Sequence, residues 1–327
     1  MIAVPARIGG ERLAMASLLG GIALFSIQDP IIKAMSGAYP VTETIAFRGA
    51  FALPIFTYLV MRAGGLGLLR RHRPRVLLGR GLLMLAAYTS FYLALAELPL
   101  ATTVALWFTA PLFMVALSGP IAGEHPGWRR WVAVLVGFGG VLVIAHPSNE
   151  TTWAVALPVL AGAFYASGQL VARRVGGGIP APVISWQQNA VYLVGALAAS
   201  ALLAPLAGAG GDAGSLGFLL RPWALPSGED FLLLALCGPI AGIGSTLIVY
   251  AYRSAGPGRI GVLEYSAMLW AVLWGFAVFG DLPTRWTVVG ALLIAGSGAY
   301  AVWRAAQAPH LAAAQRRSPV ETTEGPP

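Results

Sequence analysis

The sequence predicts an all-α integral membrane protein of ten transmembrane helices, and three observations lead to that prediction. Of its 327 residues, 57% are hydrophobic and only 10% are charged, whereas a soluble domain carries roughly 25% charged residues. Apolar runs of about 18 residues or more recur along the chain, each long enough to cross a hydrocarbon core of roughly 30 Å. Most Lys and Arg residues fall in short connections between these runs, as expected for a membrane protein.

The ten predicted segments follow one another with mostly short connections. We place them near residues 12–34, 42–62, 76–97, 99–120, 129–146, 152–172, 182–205, 230–252, 259–279 and 285–304. The longest connection, at about 206–229, is rich in Gly, Pro and Ala, which predicts a loop between two groups of helices.

The distribution of positive charge predicts the orientation of the chain. If the N-terminus is cytoplasmic, 17 of the 21 Lys and Arg residues fall on the inner side, Arg80 among them. Because cytoplasmic loops retain positive charge, we expect both termini in the cytoplasm. The formal charge of +8 therefore reflects topology in a lipid bilayer, and we expect no nucleic-acid partner.

An internal repeat divides the chain into two halves. The stretch GEHPGWRRWVAVLVGFGGVLVI from Gly123 resembles GDLPTRWTVVGALLIAGSGAYAV from Gly280 once one residue is inserted. Each half holds an odd number of crossings, five, so the second half must be inverted relative to the first. Inverted repeats are common in secondary transporters, with the substrate site at the repeat interface. We predict five-helix units at 12–146 and 152–304, and a flexible cytoplasmic tail at 305–327.

Four sequence pieces carry a family resemblance across both halves. They are FSIQDPIIKAMSGAYP, TETIAFRGAFALP, SFYLALAELPLATTVALWFTAPLF and YRSAGPGRIGVLEYSAMLWAVLWGFAVFGDLP. In order and spacing they resemble the EamA-type, ten-helix branch of the drug/metabolite transporter superfamily, which makes each five-helix unit an EamA repeat. The resemblance implies a permease of the bacterial inner membrane that moves a small organic metabolite and needs no cofactor. Transporters of riboflavin or S-adenosylmethionine look most similar, and export of amino acids or drugs is the alternative.

Charged residues inside the predicted segments are the first site candidates, because a charge at this depth costs about 2.5–3.5 kcal/mol unless it faces protein or water. Asp29 and Lys33 lie one turn apart, so they either neutralise each other or face the substrate, and Lys33 could also extend to the outer interface. Arg48, with Glu43 and Asp29 within expected reach, fits a substrate carboxylate or phosphate, or a fixed ion pair. Glu264 is a candidate proton carrier or an interhelical partner.

Aromatic and amide side chains form a second group of candidates. Rings could stack on a planar ligand and amides could hydrogen-bond it, although interhelical packing explains many such residues in any bundle. The rings are Tyr88, Trp107, Tyr165, Tyr265 and Trp270, and the amides are Gln28, Gln169, Gln187, Gln188 and Asn189.

An enzymatic function is not expected. The four His residues fall in loops, at segment ends or in the tail, and no metal-binding or diphosphate-binding motif is present, so we predict no catalytic residues and no metal. A channel would need a ring or filter that the sequence does not contain. An intramembrane enzyme and a structural membrane subunit remain the less favoured classes. We expect a small-molecule substrate and a monomer or homodimer.

Overall fold

Thirteen α-helices occupy most of the described part of the chain in this computed structural model. The described residues are 8–71, 74–123, 127–144, 153–175, 179–211, 214–255 and 261–315. The helices are α1 (Ile8–Met35), α2 (Val41–Gly64), α3 (Leu68–Arg71), α4 (Pro74–Leu95), α5 (Leu100–Trp107), α6 (Ala110–Leu117), α7 (Trp128–Ile144), α8 (Ala156–Val175), α9 (Ala181–Leu203), α10 (Gly214–Leu220), α11 (Gly228–Ala255), α12 (Ser266–Phe279) and α13 (Arg285–Gln315). Shorter 3-10 or π turns lie at Ser118–Ala122, Trp153–Val155, Ala204–Leu206 and Gly261–Tyr265.

Seven stretches of the described chain are long and apolar enough to cross a membrane. They are Arg12–Met35, Val41–Gly64, Arg75–Leu95, Leu100–Ile121, Trp153–Val171, Ala181–Leu206 and Gly228–Ala251. Two shorter apolar helices, Trp131–Ile144 and Leu263–Phe279, coincide with the fifth and ninth predicted segments. The prediction of an all-helical, multi-pass membrane protein is confirmed.

The structure departs from the predicted segments in four places. The fourth segment is interrupted at Phe108 and Thr109, because Pro111 has no amide hydrogen to bond the carbonyl one turn earlier. The ninth segment begins as the 3-10 turn Gly261–Tyr265 before it becomes α12. The connection at 206–229 contains the short helix α10, and α13 continues past the predicted end at 304 to Gln315.

Helices from the two halves of the chain pack directly on each other. The helix α1 packs on α11, α4 on α8 and α9, α2 on α9 and α11, and α7 on α13. The main core lies where these pairs meet, around the fully buried Tyr92, Leu95, Leu100 and Leu106. Large apolar side chains such as Leu135 and Leu142 are exposed on the outside, as expected for a surface solvated by lipid.

One end of the bundle is tied together by the loops 36–40, 96–99, 221–227 and 280–284 with α10, called the end loops below. Arg221 donates to the carbonyl of Ser36, and the amide of Ser215 donates to Glu97 (2.9 Å). The Tyr39 phenol donates to the Asp230 carboxylate (2.6 Å), and this hydrogen bond raises the pKa of Tyr39. The end loops thus join the two halves of the chain at this end.

The crossing of α7 and α13 depends on two glycines. A Cβ atom at Gly140 would lie 2.7 Å from the carbonyl oxygen of Gly290 and 2.9 Å from Ile294, whereas a Cβ at the neighbouring Gly139 would meet nothing within 4 Å. Gly140→Val should therefore force the two helices apart and destabilise the protein by about 1–3 kcal/mol.

The measurement is the melting temperature of the purified protein in detergent, with Gly139→Val as the matched control on the same helix. The control should melt close to the wild type. Equal melting temperatures for the two variants would show that the α7–α13 contact does not require Gly140.

Candidate functional site

Arg48 on α2 is the centre of the polar interior. Only 5% of its surface is exposed, and its Nε donates to Gln28 Oε1 on α1 (3.0 Å). Its guanidinium lies over the rings of Tyr88 on α4 (5.1 Å to the centroid) and Tyr192 on α9 (5.5 Å). A cation held over aromatic faces is attracted to their π electrons, so four helices combine to hold this charge away from lipid.

The amide of Gln28 connects Arg48 to a further helix. While Gln28 Oε1 accepts from Arg48, its Nε2 donates to the Tyr92 hydroxyl on α4 (2.7 Å). Both ends of the amide are therefore engaged, which fixes its orientation. The predicted candidates Gln28, Arg48 and Tyr88 are brought together, and Tyr92 and Tyr192 join them.

A second buried arginine, Arg80 on α4, uses the same arrangement. Its Nη1 donates to Gln188 Oε1 on α9 (2.6 Å), and Gln188 Nε2 donates to the Tyr192 hydroxyl (2.8 Å). Arg80 is 8% exposed, and its Nε is buried without a hydrogen-bond partner among the described residues. Tyr192 thus lies against Arg48 through its ring and is linked to Arg80 through Gln188.

The grouping of Arg80 with the arginines of the inner connections does not match its place in the fold. Arg80 is six residues into α4 and buried, whereas Arg75 at the start of the same helix is exposed. One signal in the sequence could have identified it. The buried Leu77 lies three residues before Arg80, and the buried Met84 and Ala87 lie four and seven residues after it, so Arg80 belongs to the inward stripe of the helix.

A row of aromatic rings runs from the two arginines toward the second half of the chain. Tyr88 contacts Tyr192 (5.5 Å between centroids) and Trp107 (6.1 Å), and Trp107 contacts Tyr165 on α8 (5.1 Å). Tyr165 is hydrogen-bonded to Gln169 one turn along the same helix. We call this set the central cluster; its members are Gln28, Arg48, Arg80, Tyr88, Tyr92, Trp107, Tyr165, Gln188 and Tyr192.

The break between α5 and α6 meets the 3-10 turn Gly261–Tyr265 beside the central cluster. The ring of Phe108, at the break between α5 and α6, stacks on Tyr265, at the end of the 3-10 turn (4.7 Å, 30° between planes). Gly162 on α8 lets that helix lie against the break, since a Cβ there would be 2.9 Å from Thr109 Oγ1. Irregular backbone is tolerated at membrane depth where protein or water covers it, and transporters use such breaks at their substrate sites.

The four candidate acids and bases beyond Arg48 separate into two groups. Asp29 interacts electrostatically with Arg48, yet no hydrogen bond or salt bridge within the described ranges engages its carboxylate. Glu264 lies in the 3-10 turn, close enough to Tyr165 and Tyr265 to interact with both electrostatically. Asp29 and Glu264 therefore lie at opposite ends of the row of rings.

Lys33 and Glu43 are directed to the end loops instead. The ammonium of Lys33 donates to the carbonyls of Leu95 (3.2 Å) and Leu98 (2.7 Å) and does not pair with Asp29. Glu43 accepts from the amide of Ala224 (3.2 Å), so the expectation that it lies near Arg48 is wrong. The reason is angular: five residues of helix turn the side chain by about 140° at 3.6 residues per turn.

The remaining candidates are not part of the row of rings. Trp270 packs with Leu18, Ile22 and Ala251 in a separate apolar cluster, so the structure gives it a packing contact. Asn189 donates to the carbonyl of Gly49 (2.8 Å), a contact between α9 and α2. The Oε1 atom of Gln187 is buried without a hydrogen-bond partner in the described part of the chain.

Two cavities in the structure lie away from the central cluster. One of about 350 Å³ lies on the side of α7 and α13 and is lined by Trp128, Arg129 and Tyr300. Another of about 200 Å³ lies at the end loops near Trp223. The candidate site is therefore identified by the buried arginine, amide and tyrosine side chains of the central cluster, and not by the volume of a cavity. Within the described ranges, no three His, Cys, Asp or Glu side chains converge as metal ligands would.

Comparison with known proteins agrees with this architecture. The model of the EamA-like transporter family matches residues 12–146. A riboflavin transporter of Rhizobium johnstonii is 28% identical over 284 residues, covering 86% of this chain and 87% of its own length. An S-adenosylmethionine uptake transporter of Rickettsia prowazekii is 24% identical over 293 residues, covering 86% of this chain and 92% of its own.

A solved crystal structure adds support at the level of the fold. It covers 89% of this chain and 98% of its own chain with a TM-score of 0.59 at 22% identity, a likeness that shows a shared fold. The family match covers the first half of the chain, and the full-length similarities extend through the second. Residues 12–146 therefore match the EamA-like transporter family, and most of the chain is similar to transporters of small metabolites.

Proposed function

We propose that this protein is a secondary transporter that moves a small organic metabolite across the bacterial inner membrane by alternating access. The observation that carries the proposal is the meeting of the break between α5 and α6 with the 3-10 turn that begins α12, beside a buried cluster of arginines and aromatic rings. In secondary transporters, broken helices supply substrate sites near the middle of the membrane. Riboflavin-like or S-adenosylmethionine-like solutes are the leading substrates, because the relatives carry those names.

The pattern of helix contacts supports an arrangement of ten crossing helices in two inverted halves, 12–146 and 152–304. An internal two-fold axis would exchange α1 with α8, α2 with α9, α4 with α11, and α7 with α13. Under that exchange, the contact of α1 with α11 corresponds to a contact of α8 with α4. The contact of α2 with α11 corresponds to a contact of α9 with α4. Both of these corresponding contacts are present. The contacts α2–α9 and α7–α13 map onto themselves. Such symmetry suits two units that rock around a shared site.

The transporter works as a monomer or homodimer, without cofactor, metal or nucleic acid, in this proposal. Export of amino acids or drugs is the alternative within the same superfamily, and an intramembrane enzyme or a structural subunit is the alternative outside it. Substrate flux into proteoliposomes containing only the purified protein separates these classes, because an enzyme or a structural subunit would produce no flux.

The orientation gives the first test of the proposal. With both termini cytoplasmic, the connection between α2 and α3 is cytoplasmic and the connection after α9 is periplasmic. Leu66→Cys and Ala207→Cys place a thiol in each, where the native side chains are exposed, and the only native cysteine, Cys237, is buried. A membrane-impermeant maleimide should label Ala207→Cys in whole cells and Leu66→Cys only after permeabilisation. The reverse pattern would overturn the orientation.

Arg48 gives the second test. Arg48→Lys retains the positive charge but loses the planar fork that bonds Gln28 and lies over the tyrosine rings. Transport should fall at least about tenfold, equivalent to about 1.4 kcal/mol, while the amount of protein in the membrane stays near normal. The matched control is Arg62→Lys, an exposed position on the same helix.

The result for Arg48→Lys separates a substrate role from a structural one. Wild-type flux by this variant would remove Arg48 from the proposed site. Loss of the protein from the membrane would instead assign Arg48 to the stability of the bundle.

Glu264 gives the third test, because its place in the 3-10 turn beside Tyr165 makes it the proposed proton carrier. Glu264→Gln preserves shape and much of the hydrogen bonding but removes the titrating group. Counterflow at equal pH should survive, whereas accumulation driven by an imposed pH gradient should be lost. Glu229→Gln, an exposed position in the first turn of α11, is the control. Unchanged accumulation in Glu264→Gln proteoliposomes would show that Glu264 carries no proton.

A further inference from the structure

The two buried guanidinium groups present more hydrogen-bond donors than the described residues accept. A guanidinium has five N–H donors. Among those residues, Arg48 makes one hydrogen bond, to Gln28, and Arg80 makes one, to Gln188. The Arg80 Nε is buried with no partner in the described ranges. Since buried polar groups are usually hydrogen-bonded, these donors fit an acceptor supplied by a bound ligand.

The carboxylates in the described ranges do not supply that acceptor. Glu43 is bonded to Ala224 at the end loops, and Asp29 forms no salt bridge in those ranges. Glu264 lies beside Tyr165, at the far end of the row of rings from Arg48. Two arginines with one nearby acid carry an excess of one positive charge, which a single negative group of a ligand would balance.

The surroundings of the two arginines limit the shape of that ligand. Tyr192 is shared by both, and Tyr88 and Trp107 continue from it as a row of partly buried rings. A flat ring stacks on such a row, while a carboxylate or phosphate matches the planar fork of a guanidinium. The buried Oε1 of Gln187, on the same helix as Gln188, is a further unused acceptor for an N–H or O–H group.

We propose that the substrate is a planar aromatic or heteroaromatic anion whose carboxylate or phosphate binds Arg48 and Arg80 and whose ring lies along Tyr88 and Trp107. The proposal rests on the transport function proposed above and names the class of its substrate. Arg80, and not Arg48 alone, then determines selectivity for anions.

Matched pairs of probes test this preference with the purified full-length protein. Indole-3-acetate and indole-3-acetamide share the same ring and differ in one group, a carboxylate or its neutral amide, and riboflavin 5′-phosphate and riboflavin differ only in the phosphate. Binding is measured by thermal stabilisation, and flux of the same solutes is measured in proteoliposomes. At least one anion should bind about tenfold to hundredfold more tightly than its neutral partner, the range expected for hydrogen bonds to a charged group. The pair that shows the difference identifies carboxylate or phosphate.

Substitutions of the two arginines test whether they cause the tighter binding of anions. Arg80→Gln and Arg48→Gln should each reduce the difference within a pair at least tenfold, whereas Arg75→Gln, exposed on the same helix as Arg80, should keep it. Arg80→Lys keeps the positive charge, so it should keep part of the difference in affinity within a pair. This variant replaces Arg80→Gln in the test if Arg80→Gln does not fold.

The outcomes distinguish this inference from the transport function. Equal affinity of the wild type for both members of both pairs would overturn the anion preference, whatever the flux. A preference that survives in Arg80→Gln and Arg80→Lys would remove Arg80 from the site. Preferential binding of an anion with no flux of any solute would contradict transport and leave the anion site standing.

Discussion

The burial of two guanidinium groups inside an apolar bundle is the constraint that organises the rest of this structure. A charge at membrane depth costs about 2.5–3.5 kcal/mol on insertion scales, so each arginine needs polar or aromatic neighbours. No single helix supplies them. Gln28 and Gln188 come from α1 and α9, and the tyrosine rings come from α4 and α9. These helices must therefore converge, and the polar interior lies where helices from both halves of the chain meet.

The break between α5 and α6 lies at the same convergence of helices. Pro111 removes one donor from the helix that carries Trp107, and the freed backbone is covered by α8, which approaches closely because residue 162 is a glycine. That approach also brings Tyr165 of α8 against Trp107. A local defect in one helix thus becomes part of the row of rings that leads away from Arg48. The same backbone feature provides both the bend and the contact surface.

Helix positions could be predicted from the sequence because they depend on apolar length, which is a local property. Whether a polar residue faces the buried interior of the bundle depends on tertiary packing. Rules that consider only neighbouring residues in the sequence do not predict it. Arg80 follows a run of loop arginines and was grouped with them, although its spacing from Leu77 and Met84 places it on the buried stripe. Trp270 was assigned to the site by residue type, but a ring alone does not indicate its neighbours. Tyr192 was missed because its role exists only through Arg48 and Gln188.

The hydrogen bonds differ in how easily they can be exchanged during a rearrangement. At the end loops, Tyr39 with Asp230 and Lys33 with Leu98 join groups close to the ends of helices. Each such bond contributes about 0.5–3 kcal/mol net, and water can replace it when the loops separate. In the interior, no water replaces Gln28 or Gln188 unless the cluster opens, so breaking those bonds costs the full desolvation penalty. In the proposed alternating-access cycle, the two halves would therefore separate most easily at the end loops, while the hydrogen bonds from Arg48 to Gln28 and from Arg80 to Gln188 would stay intact. Only a solute that brings its own acceptors would engage the remaining donors, so in this proposal binding at the central cluster is coupled to the motion around it.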